Sequence, residues 1–316
     1  MRAATIRDGK IVVAEHPDPA GPGAGHVLVR VRAAGLNGAD QAQLLGLYPP
    51  PPGSGVPDDI PGLELAGEVA ATGPGVTRFA VGDRVMALVA GAGQAELAVV
   101  HERQLMPVPE ALESPHDGAF PEVFSTAYDA LFNQAKLQAG EHLLVHGAAG
   151  GVGTAAVQLA VSLGARVTAT VRNPDARAAV AALGANVIPP EEFTPGGSYD
   201  VILELVGGPN IPADLQSLAV GGRIVVIGVG GGFTAELNLI ELLHRRATIV
   251  GTNLRTRSLE EKALLARQVE RHVLPNVSAG RLRVPLGAAY PLDQAADAYA
   301  HFAGGGKIGK IVLTFQ

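Results

Sequence analysis

Short runs of alternating apolar and polar residues fill the first third of the chain. In His26–Ala34, the valines at 27, 29 and 31 share one face of a predicted strand, while arginines occupy the other face. Turn signals such as GPGV and VGDR separate further strand candidates, which are Ala3–Ile6, Ile11–Glu15, Leu65–Ala71, Arg84–Leu88 and Ala95–Val100. This spacing predicts a compact, barrel-like β domain. The proline-rich segment Tyr48–Gly62 predicts a stiff loop, because proline fixes φ and lacks an N–H donor.

From about Asp117 the pattern changes to alternating strands and helices, which predicts a parallel sheet with crossover helices. The helix candidates are Asp117–Ala135, Val152–Leu163 and Asp175–Leu183. The strand candidates are His142–His146, Arg166–Val171, Val201–Leu205, Arg223–Ile227 and Thr248–Gly251. A capping box, Ser258 to Glu261, predicts a long helix running towards Val273. A helix from Asp293 and a strand at Lys310–Phe315 close the chain.

Composition narrows the class of protein. With 316 residues, nearly half of them apolar, the chain can form one large or two smaller domains. No cysteine is present, which excludes disulfides and thiolate metal sites, and the net charge of −6 argues against broad nucleic-acid binding. No run approaches the ~20 apolar residues of a membrane helix, and the N-terminus lacks a secretory h-region. We therefore expect a cytoplasmic protein that binds neither membranes nor nucleic acid.

The stretch His146–Ala160, HGAAGGVGTAAVQLA, places four glycines between an apolar run and a helical pattern. The turn matches the GxGxxG fingerprint with Ala148 in the first position, followed by Gly150, Gly151, Val152 and Gly153. Bare backbone at a strand-to-helix turn lets a pyrophosphate approach the N–H groups of the helix start, where the helix dipole favours an anion. This context predicts dinucleotide binding. The alternative is a glycine turn used for packing alone.

The end of the next predicted strand bears on the choice between NADPH and NADH. An acidic side chain there would accept from the NAD 2′-hydroxyl, whereas an arginine would pair with the NADP 2′-phosphate. The chain has Arg172 and Asn173 there and no acid before Asp175. Arg172, with or without Arg177, therefore favours NADPH. NADH stays possible, with both arginines as solvated surface charges.

Several specific segments resemble the medium-chain dehydrogenase/reductase superfamily, in its zinc-free quinone oxidoreductase branch. They are AAGLNGADQAQLLGLYPPPPG, PGLELAGEV, GVTRFAVGDRVMAL, PEVFSTAYDALF and the glycine stretch. The tail segments LRTRSLEEKALL, YPLDQAADAYAHF and GKIGKIVL are similar to the tumour-suppressor-inducible quinone oxidoreductase type. The resemblance implies an α/β fold with a GroES-like catalytic domain, 1–120 with 260–316, around a Rossmann doubly wound nucleotide domain, 121–259. It also implies a homodimer joined through the edge strand at Ala247–Leu254.

The resemblance also bears on zinc. The zinc branch has cysteine where this chain has Asn37 and histidine where it has Leu63, so the resemblance implies no catalytic zinc. His142 and His146, four residues apart on a predicted strand, would stand ~13 Å apart and could not share an ion. The nine histidines are interpreted mainly as surface groups or satisfied core groups.

The resemblance assigns two residues to catalysis. Positions matching Asn37 and Tyr48 lie by the nicotinamide in the family. Asn37 can donate to a carbonyl oxygen, and Tyr48, with an ordinary pKa of about 10, is a candidate general acid. The alternatives are a turn-closing asparagine and a tyrosine packed on the proline loop.

Further positions are assigned to the cofactor by resemblance or by their place after strand ends. They are Thr126, Val206, Gly228, Asn253, Leu254 and Lys310. An ordinary helix hydroxyl is the alternative for Thr126, and a surface lysine is the alternative for Lys310. Asp40 and Glu64 match the family pattern and are interpreted as structural, hydrogen-bonded groups. Many quinone reductases hold the 2′-phosphate with a lysine and a tyrosine, where this chain has Ala176 and Pro190, so Arg172 and Asn173 would have to substitute.

The sequence leaves three functions open. The first is an NADPH-dependent quinone oxidoreductase acting on small quinone or carbonyl acceptors. The second is an enoyl reductase acting on α,β-unsaturated ketones or thioesters, because enoyl thioester reductases of the superfamily place a tyrosine at the position of Tyr48. The third is a non-catalytic, crystallin-like NADPH-binding protein.

Overall fold

The computed structural model describes all residues from Met1 to Gln316, and the chain divides into two compact units. The first unit, called the catalytic unit here, contains Met1–Ser125, Leu254–Gly305 and Lys310–Gln316. The second, called the nucleotide unit, contains Thr126–Asn253 and Gly306–Gly309.

The chain forms fifteen strands and nine α-helices. The strands are β1 (Arg2–Arg7), β2 (Lys10–Glu15), β3 (His26–Gly35), β4 (Glu64–Thr72), β5 (Arg84–Leu88), β6 (Leu97–His101), β7 (Met106–Pro107), β8 (His142–Val145), β9 (Arg166–Thr170), β10 (Asn186–Ile188), β11 (Tyr199–Glu204), β12 (Leu218–Val226), β13 (Thr248–Gly251), β14 (Leu286–Pro291) and β15 (Lys310–Thr314). The α-helices are α1 (Gly38–Leu44), α2 (Pro121–Tyr128), α3 (Gly151–Leu163), α4 (Pro174–Ala181), α5 (Ile211–Ser217), α6 (Leu239–Arg245), α7 (Leu259–His272), α8 (Leu274–Ser278) and α9 (Ala295–Gly304).

The catalytic unit is built on a seven-stranded sheet. Its order is β14-β15-β3-β4-β5-β7, with β6 also pairing to β3, and β1 and β2 form a separate antiparallel pair. The valines at 27, 29 and 31 of β3 are almost fully buried, as the alternation predicts, and they join the core of this unit. The last strand, β15, pairs antiparallel with β3, so the C-terminus of the chain completes the sheet that the N-terminal part begins.

The nucleotide unit contains six parallel strands in the order β10-β9-β8-β11-β12-β13. The strand order reverses direction between β8 and β11, the kind of switch point outside which open α/β sheets bind ligands. Leu144 of β8 and Ile202 of β11 are neighbours in register and form part of a buried apolar cluster. The predicted α/β class, a β-rich GroES-like unit with a doubly wound parallel-sheet unit, is confirmed by this topology.

Some predicted elements differ from those observed. The segment predicted as one helix, Asp117–Ala135, is a 3₁₀ turn at Asp117–Ala119, then α2, then a π-helical turn at Asp129–Gln134. Pro121 explains the break, because proline has no N–H and favours the first position of a helix. The helix predicted from Asp293 starts at Ala295, after a 3₁₀ turn. The capping box is confirmed: Ser258 Oγ accepts from the Glu261 N–H, and the Glu261 carboxylate accepts from the Ser258 N–H.

Among the helices, the longest has 14 residues, and none is both long and apolar enough to cross a membrane.

Candidate active site

The glycine turn joins β8 to α3 in the nucleotide unit. Gly147 has φ +68°, a left-handed conformation that glycine adopts without steric cost. A Cβ on Gly153 would lie 2.6 Å from the Cα of Ala148, so a larger residue there would force the helix away from the turn. Gly150 caps α3 in extended conformation, leaving the first N–H groups of the helix without intrahelical acceptors. These features fit the cradle of a pyrophosphate.

A second loop follows β11 at the same sheet edge. The backbone N–H groups of Val206 and Gly207 both donate to Oε1 of Glu204, which ends β11. After β12, a Cβ on Gly228 would lie 2.2 Å from the Leu205 carbonyl oxygen, so only glycine fits there. Both predicted positions, Val206 and Gly228, therefore lie at carboxyl ends of neighbouring parallel strands.

The residues after β9 differ in how far their side chains are engaged. Arg172 is exposed and its guanidinium forms no hydrogen bond or ion pair, so it is available to an anion. Arg177 Nε donates to the Val171 carbonyl, and its guanidinium lies 3.9 Å from Glu191. The Asn173 side chain accepts from the Asp175 N–H, capping α4, and donates to the Gly306 carbonyl. Arg172 is therefore the one of these three side chains that makes no hydrogen bond or ion pair within the protein.

The remaining predicted cofactor positions belong to both units. Thr126 is buried in α2 and belongs to the nucleotide unit. Asn253 is exposed and Leu254 is buried, immediately after β13. Lys310 belongs to the catalytic unit and is only 3% exposed, so the alternative of a surface lysine is wrong.

Lys310 is part of a buried polar cluster with Asn37 and Glu64. Its ammonium lies 2.7 Å from Glu64 Oε1 and also donates to the Leu36 carbonyl and to Asn37 Oδ1. The Asn37 amide nitrogen donates to Glu64 Oε1 at 3.0 Å and to the Gly35 carbonyl at 3.3 Å. All three ammonium hydrogens and both amide hydrogens therefore have protein acceptors. The cluster joins the end of β3 with the first residues of β4 and β15.

Asp40 is a second buried carboxylate, next to this cluster in α1. It accepts from the backbone N–H groups of Asn37 (2.8 Å) and Gly62 (3.0 Å), and from the Gln94 amide. Burial raises the pKa of Asp40 to about 6, against the opposing influence of these hydrogen bonds and of Lys310. The hydrogen-bonded, structural role predicted for Asp40 and Glu64 agrees with these contacts.

Tyr48 is half-buried after α1 and rests against Arg255. The Arg255 guanidinium carbon lies 5.0 Å from the centre of the Tyr48 ring, and its NH1 donates to the Tyr48 carbonyl at 2.7 Å. Arg255 also donates to Ala90 and Gln43, and it has no carboxylate within ion-pair distance although it is 3% exposed. Burial lowers the pKa of Arg255. Sequence reasoning missed this arginine, because nothing in the segment LRTR distinguishes a buried arginine from a surface one.

The donors around Asn37 do not fit a catalytic zinc ion. Zinc in proteins is bound by cysteine, histidine and carboxylate groups. The chain has no cysteine, residue 63 is an apolar leucine, and the oxygen of Asn37 accepts from an ammonium. The nearby Glu64 carboxylate is already paired with that ammonium.

His142, the first residue of β8, and His146, the residue after β8, have separate partners. His142 Nε2 lies 2.9 Å from Thr168 Oγ1, whereas His146 contacts Thr170 and Asp214. They share no ligand position, as predicted from the strand geometry. The grouping of His146 with two acids was not predicted, because those acids are distant in sequence.

Two family descriptions match the chain. "Alcohol dehydrogenase GroES-like domain" matches residues 23–110, and "Zinc-binding dehydrogenase" matches residues 151–270.

Relatives cover nearly the whole chain. A quinone oxidoreductase of Rattus norvegicus is 32% identical over 304 residues, which are 92% of this chain and 90% of that protein. A phenolphthiocerol/phthiocerol polyketide synthase of Mycobacterium tuberculosis is 32% identical over 305 residues, which are 93% of this chain but 14% of that protein. The structure of the quinone oxidoreductase of Thermus thermophilus, also solved with NADPH, is 34% identical with a TM-score of 0.84 and full coverage of both chains.

Proposed function

Because the chain belongs to the medium-chain dehydrogenase/reductase superfamily, in its quinone oxidoreductase branch, we propose that it reduces small quinone or carbonyl acceptors with NADPH. The single observation that carries this proposal is the glycine turn of the nucleotide unit with the exposed, unpaired Arg172 after the next strand. The enzyme is an oxidoreductase. NADPH, when bound, supplies a hydride.

The nucleotide unit is proposed to hold the cofactor through its strand ends. The pyrophosphate would lie at the N-terminus of α3, against the backbone of Gly150, Gly151 and Val152. Arg172 would pair with the 2′-phosphate through its free guanidinium donors. Arg177 and Asn173 are already engaged within the protein, so most of the phosphate selectivity rests on Arg172. NADH stays the alternative cofactor.

In the catalytic unit, Tyr48 is proposed to donate the proton that the reduced acceptor needs. The Arg255 guanidinium stacks on the Tyr48 ring and holds its carbonyl, which restricts where the ring can lie. The direct role predicted for Asn37 would require one of its amide hydrogens to leave Glu64 or Gly35, and it stays a prediction. The same holds for a cofactor contact by Lys310. The reaction is proposed to proceed without zinc, since the donors at Asn37 do not suit that ion.

The similarity to part of a polyketide synthase favours a second candidate function. In this alternative the substrate is an α,β-unsaturated ketone or thioester, and the same tyrosine would protonate the reduced carbon skeleton. A third candidate, NADPH binding without catalysis, has no observation in its favour beyond the cofactor turn itself.

A homodimer through the nucleotide unit is also proposed. Strand β13 is the last strand of its sheet, so one edge of its backbone is unpaired within the chain. Nearby in sequence, six large apolar side chains are exposed: Val229, Phe233, Leu237, Leu239, Ile240 and Leu243. Ultracentrifugation should show a dimer that Ile240→Glu with Leu243→Glu converts to monomer. The control is Leu264→Glu, an exposed leucine of α7, which should leave the dimer intact. A cytoplasmic location stays a prediction.

The proposed activity is tested by following NADPH oxidation with a quinone series and an enone series. NADPH deuterated at the transferable position separates the two chemistries. Quinone reduction on oxygen loses the label to solvent, whereas double-bond reduction leaves a stable C–D bond that mass spectrometry detects. Turnover with quinones and no deuterated carbon product supports the first candidate, and the opposite result supports the second. NADPH binding without turnover of either series would contradict both.

A further inference from the structure

Three buried ionisable side chains of the nucleotide unit converge where the sheet order reverses. His146 follows β8, Glu204 ends β11 and Asp214 lies in α5. One nitrogen or oxygen atom from each lies within 4.8 Å of the others, and the three residues are 3%, 0% and 0% exposed. None of them has a role in the function proposed above.

The side chains of the cluster leave part of their hydrogen-bonding capacity unused. The single ion-pair partner of Asp214 is His146, at 2.8 Å, and no lysine or arginine pairs with either acid. Asp214 Oδ2 is buried without any hydrogen-bond partner. A buried carboxylate oxygen without a hydrogen-bond donor is unfavourable, and a cation held between the three side chains would give Asp214 Oδ2 a partner.

The hydrogen bonds around the cluster orient its atoms as outer partners orient metal ligands. His146 Nδ1 lies 3.0 Å from Thr170 Oγ1, so a proton on Nδ1 would leave the lone pair of Nε2 directed towards the acids. Glu204 Oε1 accepts two backbone N–H groups, and Oε2 accepts one hydrogen from Asn210 at 3.0 Å. These contacts hold the carboxylate in place and leave Oε2 with a free lone pair.

We propose that His146, Glu204 and Asp214 bind one divalent transition-metal ion of the zinc class. The imidazole nitrogen selects against magnesium and calcium, which prefer oxygen ligands alone. Zinc ligand atoms stand roughly 3.4 Å apart at ordinary bond lengths. A separation of 4.8 Å, the upper limit in the cluster, would have to close by about 1.4 Å. The ion replaces the hydrogen bond between His146 and Asp214 and ties the ends of β8, β11 and α5 together. This site is separate from Asn37 and does not rest on the proposed reduction.

The test uses the full chain after dialysis against a chelator. In a titration with Co²⁺ monitored by visible absorbance, the protein should bind one equivalent of the ion. Zn²⁺ should displace the bound Co²⁺ and raise the unfolding temperature of the protein. Asp214→Asn and Glu204→Gln should each weaken Co²⁺ binding at least tenfold. The control is Asp175→Asn, an exposed acid of α4 in the same unit, which should bind as the parent does.

A further variant tests the orienting contact with all three ligands retained. Thr170→Val should weaken binding by about 10- to 100-fold, because the imidazole loses the hydroxyl that sets its protonated nitrogen. The parent protein alone is decisive even if a variant fails to fold. Less than one equivalent of Co²⁺ bound, or binding unchanged in Asp214→Asn and Glu204→Gln, would overturn the proposal.

Discussion

The ammonium of Lys310 lies 2.7 Å from the carboxylate of Glu64, and both side chains are shielded from solvent. The two residues are the first of β15 and β4, which both pair with β3. Asn37, two residues after β3, bonds to both of them. The C-terminal strand therefore supplies a positive charge beside the position where the zinc branch of the superfamily has a cysteine.

Removing the positive charge should destabilise the protein strongly. Lys310→Met leaves Glu64 as a buried, unpaired carboxylate, and we expect the free energy of unfolding to fall by about 3–5 kcal/mol. The double variant with Glu64→Gln should recover much of this loss, because it removes the charge left without a partner. Denaturant unfolding of the parent, the two single variants and the double variant measures the coupling. Losses that simply add would show that the pair is not coupled.

Tyr48→Phe tests the proton donor. If Tyr48 protonates the reduced acceptor, kcat should fall by about 100-fold or more while NADPH binding changes little. Tyr290→Phe is the matched control, because Tyr290 lies in the edge strand β14 and its hydroxyl contacts His301. An unchanged kcat in Tyr48→Phe would remove Tyr48 from this role.

Arg172→Ala tests the phosphate contact. The KM for NADPH should rise, since a charge-assisted hydrogen bond to the 2′-phosphate is lost, while the KM for NADH should stay the same. Arg166→Ala serves as the control, because Arg166 is also exposed but begins the strand that Arg172 follows. An equal rise in KM for both cofactors would contradict selective binding of the phosphate.

The stability contributed by Asp40 should depend on pH. Its folded-state pKa of about 6 exceeds the ordinary value of 3.8, so the native state holds the proton more tightly than the unfolded chain. The Asp40 contribution to the free energy of unfolding is therefore largest at low pH and declines by about 3 kcal/mol as pH rises from 3.8 to 6. Asp40→Asn cannot titrate, so the stability of the parent relative to this variant should decline across the same range. A difference that is constant with pH would show that the pKa of Asp40 is not raised.

Local patterns predicted twelve of the fifteen strands, all but β7, β10 and β14, because each pattern lies within a few consecutive residues. The alternation of β3 and the Ser258 capping box are examples, and both are observed. The glycine turn was recognisable for the same reason, since its strand, glycines and helix are contiguous. Helices α5 and α6 were not predicted, because each has seven residues and α6 exposes its apolar side chains.

The buried polar groups could not be predicted from local patterns. Lys310 and Glu64 come together only because β15 and β4 both pair with β3, which no local pattern specifies. Asp214 lies 68 residues from His146, and only the adjacency of β8 and β11 brings its helix near. Arg172 differs because its position depends on one strand end alone.

Direct titration with both cofactors tests most simply whether the nucleotide unit selects NADPH. The purified protein is titrated with NADPH and with NADH, and the fluorescence of the reduced nicotinamide is followed. We predict saturable binding of both, with the dissociation constant for NADPH clearly lower because Arg172 meets the 2′-phosphate. Equal or tighter binding of NADH would contradict the assignment of NADPH as the cofactor. If neither nucleotide bound, the proposed reductase function would be contradicted.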